Sequence, residues 1–150
     1  MFTLVPVNFF DPESARQALQ EVAPLAETDR IGYRQLPRYG AVLIYDIPSG
    51  TDVPPGIFDI LERLHECTEY NKVLCSWRGG VLSLAIAQGK SLLLANEYAA
   101  PDFTTAQYYI FFAMKSLQLN PEVTTISFLH GLAEEEQMAL YRYFKAVETV

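Results

Sequence analysis

At 150 residues, half of them hydrophobic and 13% aromatic, the chain is long enough for one ordinary domain or two small lobes around a real core, and too apolar for disorder. Eighteen Asp and Glu against 11 Lys and Arg give a net charge of −7. With no basic run to neutralise phosphates, no nucleic-acid partner is expected, and the acidity reads as solubility. Runs such as "VLSLAIA" and "SLLLA" are far too short to span a bilayer, and "MFTLVPVNFFDPESA" lacks the make-up of a signal peptide. No membrane partner and a cytoplasmic location are expected.

In chain order, "FTLVP" predicts a short strand and "DPESARQALQEV" a helix. Asp11 can cap it, Pro12 suits its first position and Glu13 faces its positive end. Ala15, Ala18, Leu19 and Val22 would form the buried stripe. A short strand near Ile31 and a loop at Pro37-Arg38-Tyr39-Gly40 precede a buried strand over 41–47. "PPG" then breaks the chain before a helix over 57–66, whose stripe is Ile57, Ile60, Leu61 and Leu64.

"KVLCSW", "VLSLAIAQ" and "SLLLANEY" read as an antiparallel meander with glycine-containing turns. Leu82, Leu84 and Ile86 lie on one face, and Val81, Ala85 and Ala87 on the other. Such two-sided apolarity suits a sheet covered on both faces. "TTAQYYIFFAMKSLQL" predicts a helix opened by a capping box of Thr104 and Gln107. Its stripe is Ala106, Tyr109, Ile110, Ala113, Met114 and Leu117, with Tyr108, Phe111 and Phe112 widening the apolar arc. Asn120-Pro121 should end it; "TTISFLHG" is a strand, and "AEEEQMALYRYFKAV" a last helix with Glu134–Glu136 in its first turn.

Two stretches imitate phosphate-binding loops. A P-loop is G-x-x-x-x-G-K-[ST] opening a helix. Counting back from Gly89-Lys90-Ser91, the first glycine should stand at Leu84, and "LLLANEY" beyond is a strand, so Gly89-Lys90 is expected to be a hairpin turn. The other stretch is Gly79-Gly80 after Trp77-Arg78. Cys67 and Cys75, eight apart, match no common zinc spacing and are expected to be reduced structural thiols; no metal is expected. His65, late in a helix, and His130, beside Gly131, are read as structural. Asp46 and Asp102 are single carboxylates near element ends, and Asp102 is read as a capping or loop residue.

The C-terminal pattern resembles the ribonuclease H-like half of the actin-like ATPases. That resemblance implies an Asp on the first hairpin to organise magnesium, followed by glycines whose amides hold phosphate. In "VLCSWRGGVLSLAI" the Asp position falls on Ser76, and Trp77 and Arg78 would add bulk at the turn. "ISFLHG" resembles the strand that ends in glycine near the adenosine site. Closer still, "FTLVPVNFFDPESA", "AVLIYDIP", "GKSLLLANEYAAPDFTTAQYYIFFAMKSLQL" and "ISFLHG" together resemble the bacterial family called domain of unknown function 3822. Its members look like degenerate actin-like ATPases, typical of Bacteroidota, that extend further at both ends. By that resemblance this chain is expected to begin inside a first lobe, lacking its opening hairpin, and to stop before the final segment.

The resemblance implies an α/β fold with a partial N-terminal lobe over 1–70 and a ribonuclease H-like lobe over 71–150. A mixed sheet flanked by helices would contain the three-strand meander. The vestigial nucleotide site would be Ser76, Gly79, Gly80 and Gly131, with no catalytic residue and no cofactor. A non-catalytic scaffold or interaction module is the expectation. The alternatives are a nucleotide-binding protein with weak ATPase activity, or an unrelated small-molecule-binding domain or enzyme. A partial lobe would leave strand edges bare. Self-association is therefore expected through "FTLVP" and "AVLIYDI" or the surface around Phe9, Phe10 and Tyr45, with Ile44→Lys disrupting it far more than a lysine at Gln20.

Overall fold

A computed structural model describes residues 1–47 and 50–150; the proline that closes the "AVLIYDIP" motif lies outside these. The described chain forms two compact units, Met1–Phe58 and Asp59–Val150.

In the first unit, strands β1 (Phe2–Pro6), β2 (Arg30–Leu36) and β3 (Ala41–Ile47) form an antiparallel sheet in the order β1-β3-β2. Strand β3 is therefore central, with both edges already paired, which corrects the expectation that "AVLIYDI" lies exposed. Its apolar run is a consequence of that position: Val42, Leu43 and Ile44 have no exposed surface. Asp11 accepts from the Glu13 amide at 3.1 Å and opens a 3-10 turn, Pro12–Ser14, that leads into helix α1 (Ala15–Gln20). Ala15 and Leu19 pack on Val42 and Ile44. Val22, predicted for that stripe, is 63% exposed because the helix ends two residues before it.

Tyr45 is 1% exposed, so it belongs to the interior and not to an association surface. Its hydroxyl donates to Asp52 Oδ1 at 2.5 Å, Arg34 approaches the same carboxylate at 3.3 Å, and the Arg34 guanidinium lies 5.7 Å from the Tyr45 ring centre. Arg30 donates to the Gly50 carbonyl at 2.6 Å. Together these contacts hold segment 50–52 against the sheet. Burial, then the hydrogen bond to Asp52, pushes the Tyr45 pKa up to about 12 from its ordinary 10. Because the folded phenol keeps its proton above pH 10 while the unfolded one loses it, stability falls as pH rises from about 10 to about 12. Urea denaturation across that range should show the fall, and Tyr45→Phe should flatten it; an unchanged slope in the variant counts against this origin.

In the second unit, strands β4 (Asn71–Arg78), β5 (Val81–Gln88) and β6 (Ser91–Ala99) form the predicted meander, and β7 (Thr125–Phe128) and β8 (Ala146–Thr149) add parallel strands. The order is β6-β5-β4-β7-β8. Gly89, with φ 57°, is the first residue of a two-residue hairpin turn, as expected. Between β5 and β6 the register slips after Ile86, leaving Leu93 as a bulge.

Helix α3 (Phe103–Ser116) and helix α4 (Glu134–Tyr141) cover one face. There Ile110, Met114, Leu140 and Phe144 pack with Val73, Cys75, Leu82, Leu84, Ile86 and Phe128. On the other face the 3-10 turn Leu64–Glu66 lies against β4 and β5. That turn extends helix α2 (Gly56–Arg63), and the predicted stripe of Ile57, Ile60, Leu61 and Leu64 is fully buried. Both cysteines are free and buried, and burial pushes both thiols up.

Three expectations are corrected here. The cap of α3 is Asp102, not Thr104: its Oδ1 accepts from the Thr105 amide at 2.8 Å and the Thr105 hydroxyl at 2.9 Å. An ionised acceptor outcompetes a hydroxyl for the first free amides, and those Thr105 bonds hold the Asp102 carboxyl below its usual range. Helix α3 ends before Asn120, where Gln118 turns left-handed (φ 56°) and the Leu119 amide bonds back to Met114 at 2.9 Å. The last helix is short, and the residues read as its end form β8, because pairing with β7 overrides their modest helix preference.

Candidate functional site

The parallel strand β7 ends beside Cys75, three residues before the end of β4, and the Leu129 amide extends their pairing by bonding the Cys75 carbonyl at 2.8 Å. This brings the β4–β5 turn close to the segment after β7. Gly79 and Gly80 occupy that turn with φ 58° and 74°, the left-handed pair that a tight two-residue hairpin requires. The Gly80 carbonyl accepts from the Ala100 amide at 2.8 Å, which ties the turn to the start of the α3 segment. Of the four predicted site residues, Ser76, Gly79 and Gly80 lie on one hairpin. Gly131 follows the neighbouring strand.

Sequence spacing did not reveal the closest side-chain link here. Arg78 Nη1 lies 3.1 Å from His130 Nε2, across 52 residues. Both are exposed, so His130 marks the rim of this sheet end and does not fill a core. His65 is likewise exposed, in the turn after α2. Trp77 does not crowd the turn as expected. Alternation along β4 sends it to the helix-covered face, where Nε1 donates to the Ala100 carbonyl at 2.8 Å and the ring meets Phe103 at 5.4 Å. Arg78 alone adds bulk beside the glycines.

Ser76 stands opposite Ser83, and Ser83 stands opposite Glu97, so the three share one face across β4, β5 and β6. Ser83 Oγ donates to Glu97 Oε2 at 3.1 Å. Two strand spacings, about 10 Å, separate Ser76 from that carboxylate. Among the described residues, no three of His, Cys, Asp and Glu cluster closely enough to hold a metal ion. Also among them, no helix is long and apolar enough to cross a membrane.

Away from this sheet end, a concavity lies between α3 and the end of α4 with the turn that follows it. It is an open groove of about 420 Å³ lined by Gln107, Phe111, Ala139, Arg142 and Tyr143. Phe111 meets Tyr143 edge-on at 5.1 Å, and Tyr108 stacks on Phe112 at 6.1 Å. Tyr108, Phe112, Met138 and Tyr143 are all more than half exposed.

The sheet and its helices define the class: this is an actin-like ATPase fold. It matches the crystal structure of a Bacteroides thetaiotaomicron VPI-5482 protein with that fold and unknown function, at a TM-score of 0.80 and 19% identity, over 99% of this chain. The chain spans 64% of that protein's length. Residues 57–147, more than half the chain, match the family described as "Protein of unknown function (DUF3822)", and the chain belongs to that family. No curated protein matches it.

Proposed function

We propose that this chain is a non-catalytic actin-like module that acts through protein contacts. The observation that carries the reading is Ser76, at the position where the actin-like pattern has its metal-organising acid. A hydroxyl cannot supply the charge that holds Mg²⁺ near phosphate oxygens. The nearest carboxylate in its cross-strand row, Glu97, is two strands away and already accepts from Ser83. The exposed aromatic and methionine side chains of α3 and α4 supply the contact surface.

One feature favours a second reading, nucleotide binding without turnover. The Gly79 position is open, since a Cβ added there would meet nothing within 4 Å, and a cation stands beside it at Arg78. A thermal-shift series with ATP, ADP and GTP, with and without Mg²⁺, separates the two, because a ligand at a hundredfold its dissociation constant adds about 2.7 kcal/mol of stability. No shift and no phosphate release are expected. Ser76→Asp alone should not create activity, since one carboxylate does not assemble a metal site. Mg²⁺-dependent phosphate release abolished by Gly80→Trp would overturn the non-catalytic reading.

A further inference from the structure

We infer that Arg78 and His130 together receive a carboxylate of a partner protein, and that protonation of His130 completes the contact. The inference rests on the interaction-module reading and assigns its partner an acidic group.

Topology makes the pair. Arg78 ends β4, and His130 lies two residues beyond β7, the strand that runs parallel to β4. Arg78 Nη1 and His130 Nε2 face each other at 3.1 Å. A guanidinium has donors, no acceptor and a permanent charge. In this contact Nη1–H therefore donates, Nε2 accepts, and the neutral imidazole carries its proton on Nδ1. When His130 takes up a proton, Nε2 becomes a donor too. Two like-charged donors then stand side by side, and a shared anionic acceptor joins them.

The described residues do not supply that acceptor. Among them, no carboxylate lies within hydrogen-bond or ion-pair distance of either side chain, and Arg78 is the one charged group in contact with His130. Both side chains are exposed. The adjoining glycines leave the approach open: a Cβ added at Gly79 or Gly131 would meet nothing within 4 Å.

Charge identifies the ligand. One fixed cation and one titratable imidazole balance a carboxylate, whose planar fork matches a guanidinium. A nucleotide would bring several negative charges to a chain already at −7, and it needs a metal that Ser76 cannot hold. A free small acid would be held by this pair alone on an open surface, whereas small-ligand sites enclose most of their ligand. On a partner protein the carboxylate arrives with further contacts around it.

The test is selection of a displayed library of random peptides, lacking histidine and cysteine, against the full chain at about pH 6. Enrichment of Asp, Glu or a free C-terminal carboxylate is expected, with binding about tenfold weaker at about pH 8. Arg78→Glu should weaken binding about tenfold, and Lys in place of the peptide's acid should restore it. His130→Gln should abolish the pH dependence, while Gln at the chain's other histidine, His65, should leave it intact. All three positions are exposed, and unchanged thermal melting confirms that each variant is folded. No enrichment, enrichment without an acid, or equal binding at both pH values overturns the inference. So does binding that survives Arg78→Glu, pH dependence that survives His130→Gln, or displacement of the peptides by ATP. A nucleotide-induced thermal shift would overturn the underlying reading as well; failure of the peptides without such a shift overturns this inference alone.

Discussion

Ile44→Lys is expected to unfold the first unit outright. Ile44 has no exposed surface, sits on the central strand between Thr3 and Tyr33, and packs on Leu19 and Ala15. Losing its side chain from the core costs about 2–5 kcal/mol, and an unpaired ammonium there adds several more. Total stabilities are only about 5–15 kcal/mol. Lysine at Gln20, at the exposed end of α1, should change little. Urea denaturation followed by circular dichroism checks both. A soluble Ile44→Lys protein with an unchanged midpoint would mean that β3 is not the centre of the sheet.

What could be read from the sequence was whatever one segment decides alone. The run Ala41–Ile47 must be buried wherever it goes, and the stripe Ile57, Ile60, Leu61, Leu64 has a helix's spacing and nothing else's. Gly79-Gly80 and Gly89-Lys90 announce hairpin turns because few other residues tolerate a left-handed conformation. Strand β8 was hidden by context. Its Val147-Glu148-Thr149 alternation was visible, but "QMALYRYFKA" just before it reads as helix, and only β7 decides the outcome. Asp102 and Thr104 were both plausible caps two residues apart, separated by carboxylate charge rather than by pattern. The contacts of Arg78 with His130 and of Tyr45 with Asp52 depend on chain reversals that no local spacing encodes. The absence of an acid at Ser76 was legible at once, since it is a matter of residue type. The α3–α4 groove was only half legible: "YYIFF" showed an arc too wide for one neighbour, while Arg142 and Tyr143 were assigned to the wrong kind of element.

Gly32→Val should destabilise the first unit by ~3 kcal/mol, and the reason lies directly across the sheet. Gly32 pairs with Tyr45, whose ring folds over the glycine. A Cβ at position 32 would lie 2.6 Å from Cε2, 2.7 Å from Cζ and 2.8 Å from the hydroxyl oxygen of Tyr45. A free tyrosine could swing aside. This one is buried, and Asp52 holds its hydroxyl at 2.5 Å. Any side chain at position 32 must therefore displace the ring, break the hydrogen bond that secures segment 50–52, or bend the strand. Gly32→Ala should show the same effect at smaller size, although alanine is normally the better strand residue on backbone-entropy grounds. The double-mutant cycle isolates the cause: in a Tyr45→Val background, Gly32→Ala should cost almost nothing. If Gly32→Ala proves neutral or stabilising with Tyr45 in place, the ring is not the constraint. An equal cost in both backgrounds would instead place the requirement for glycine in the strand itself.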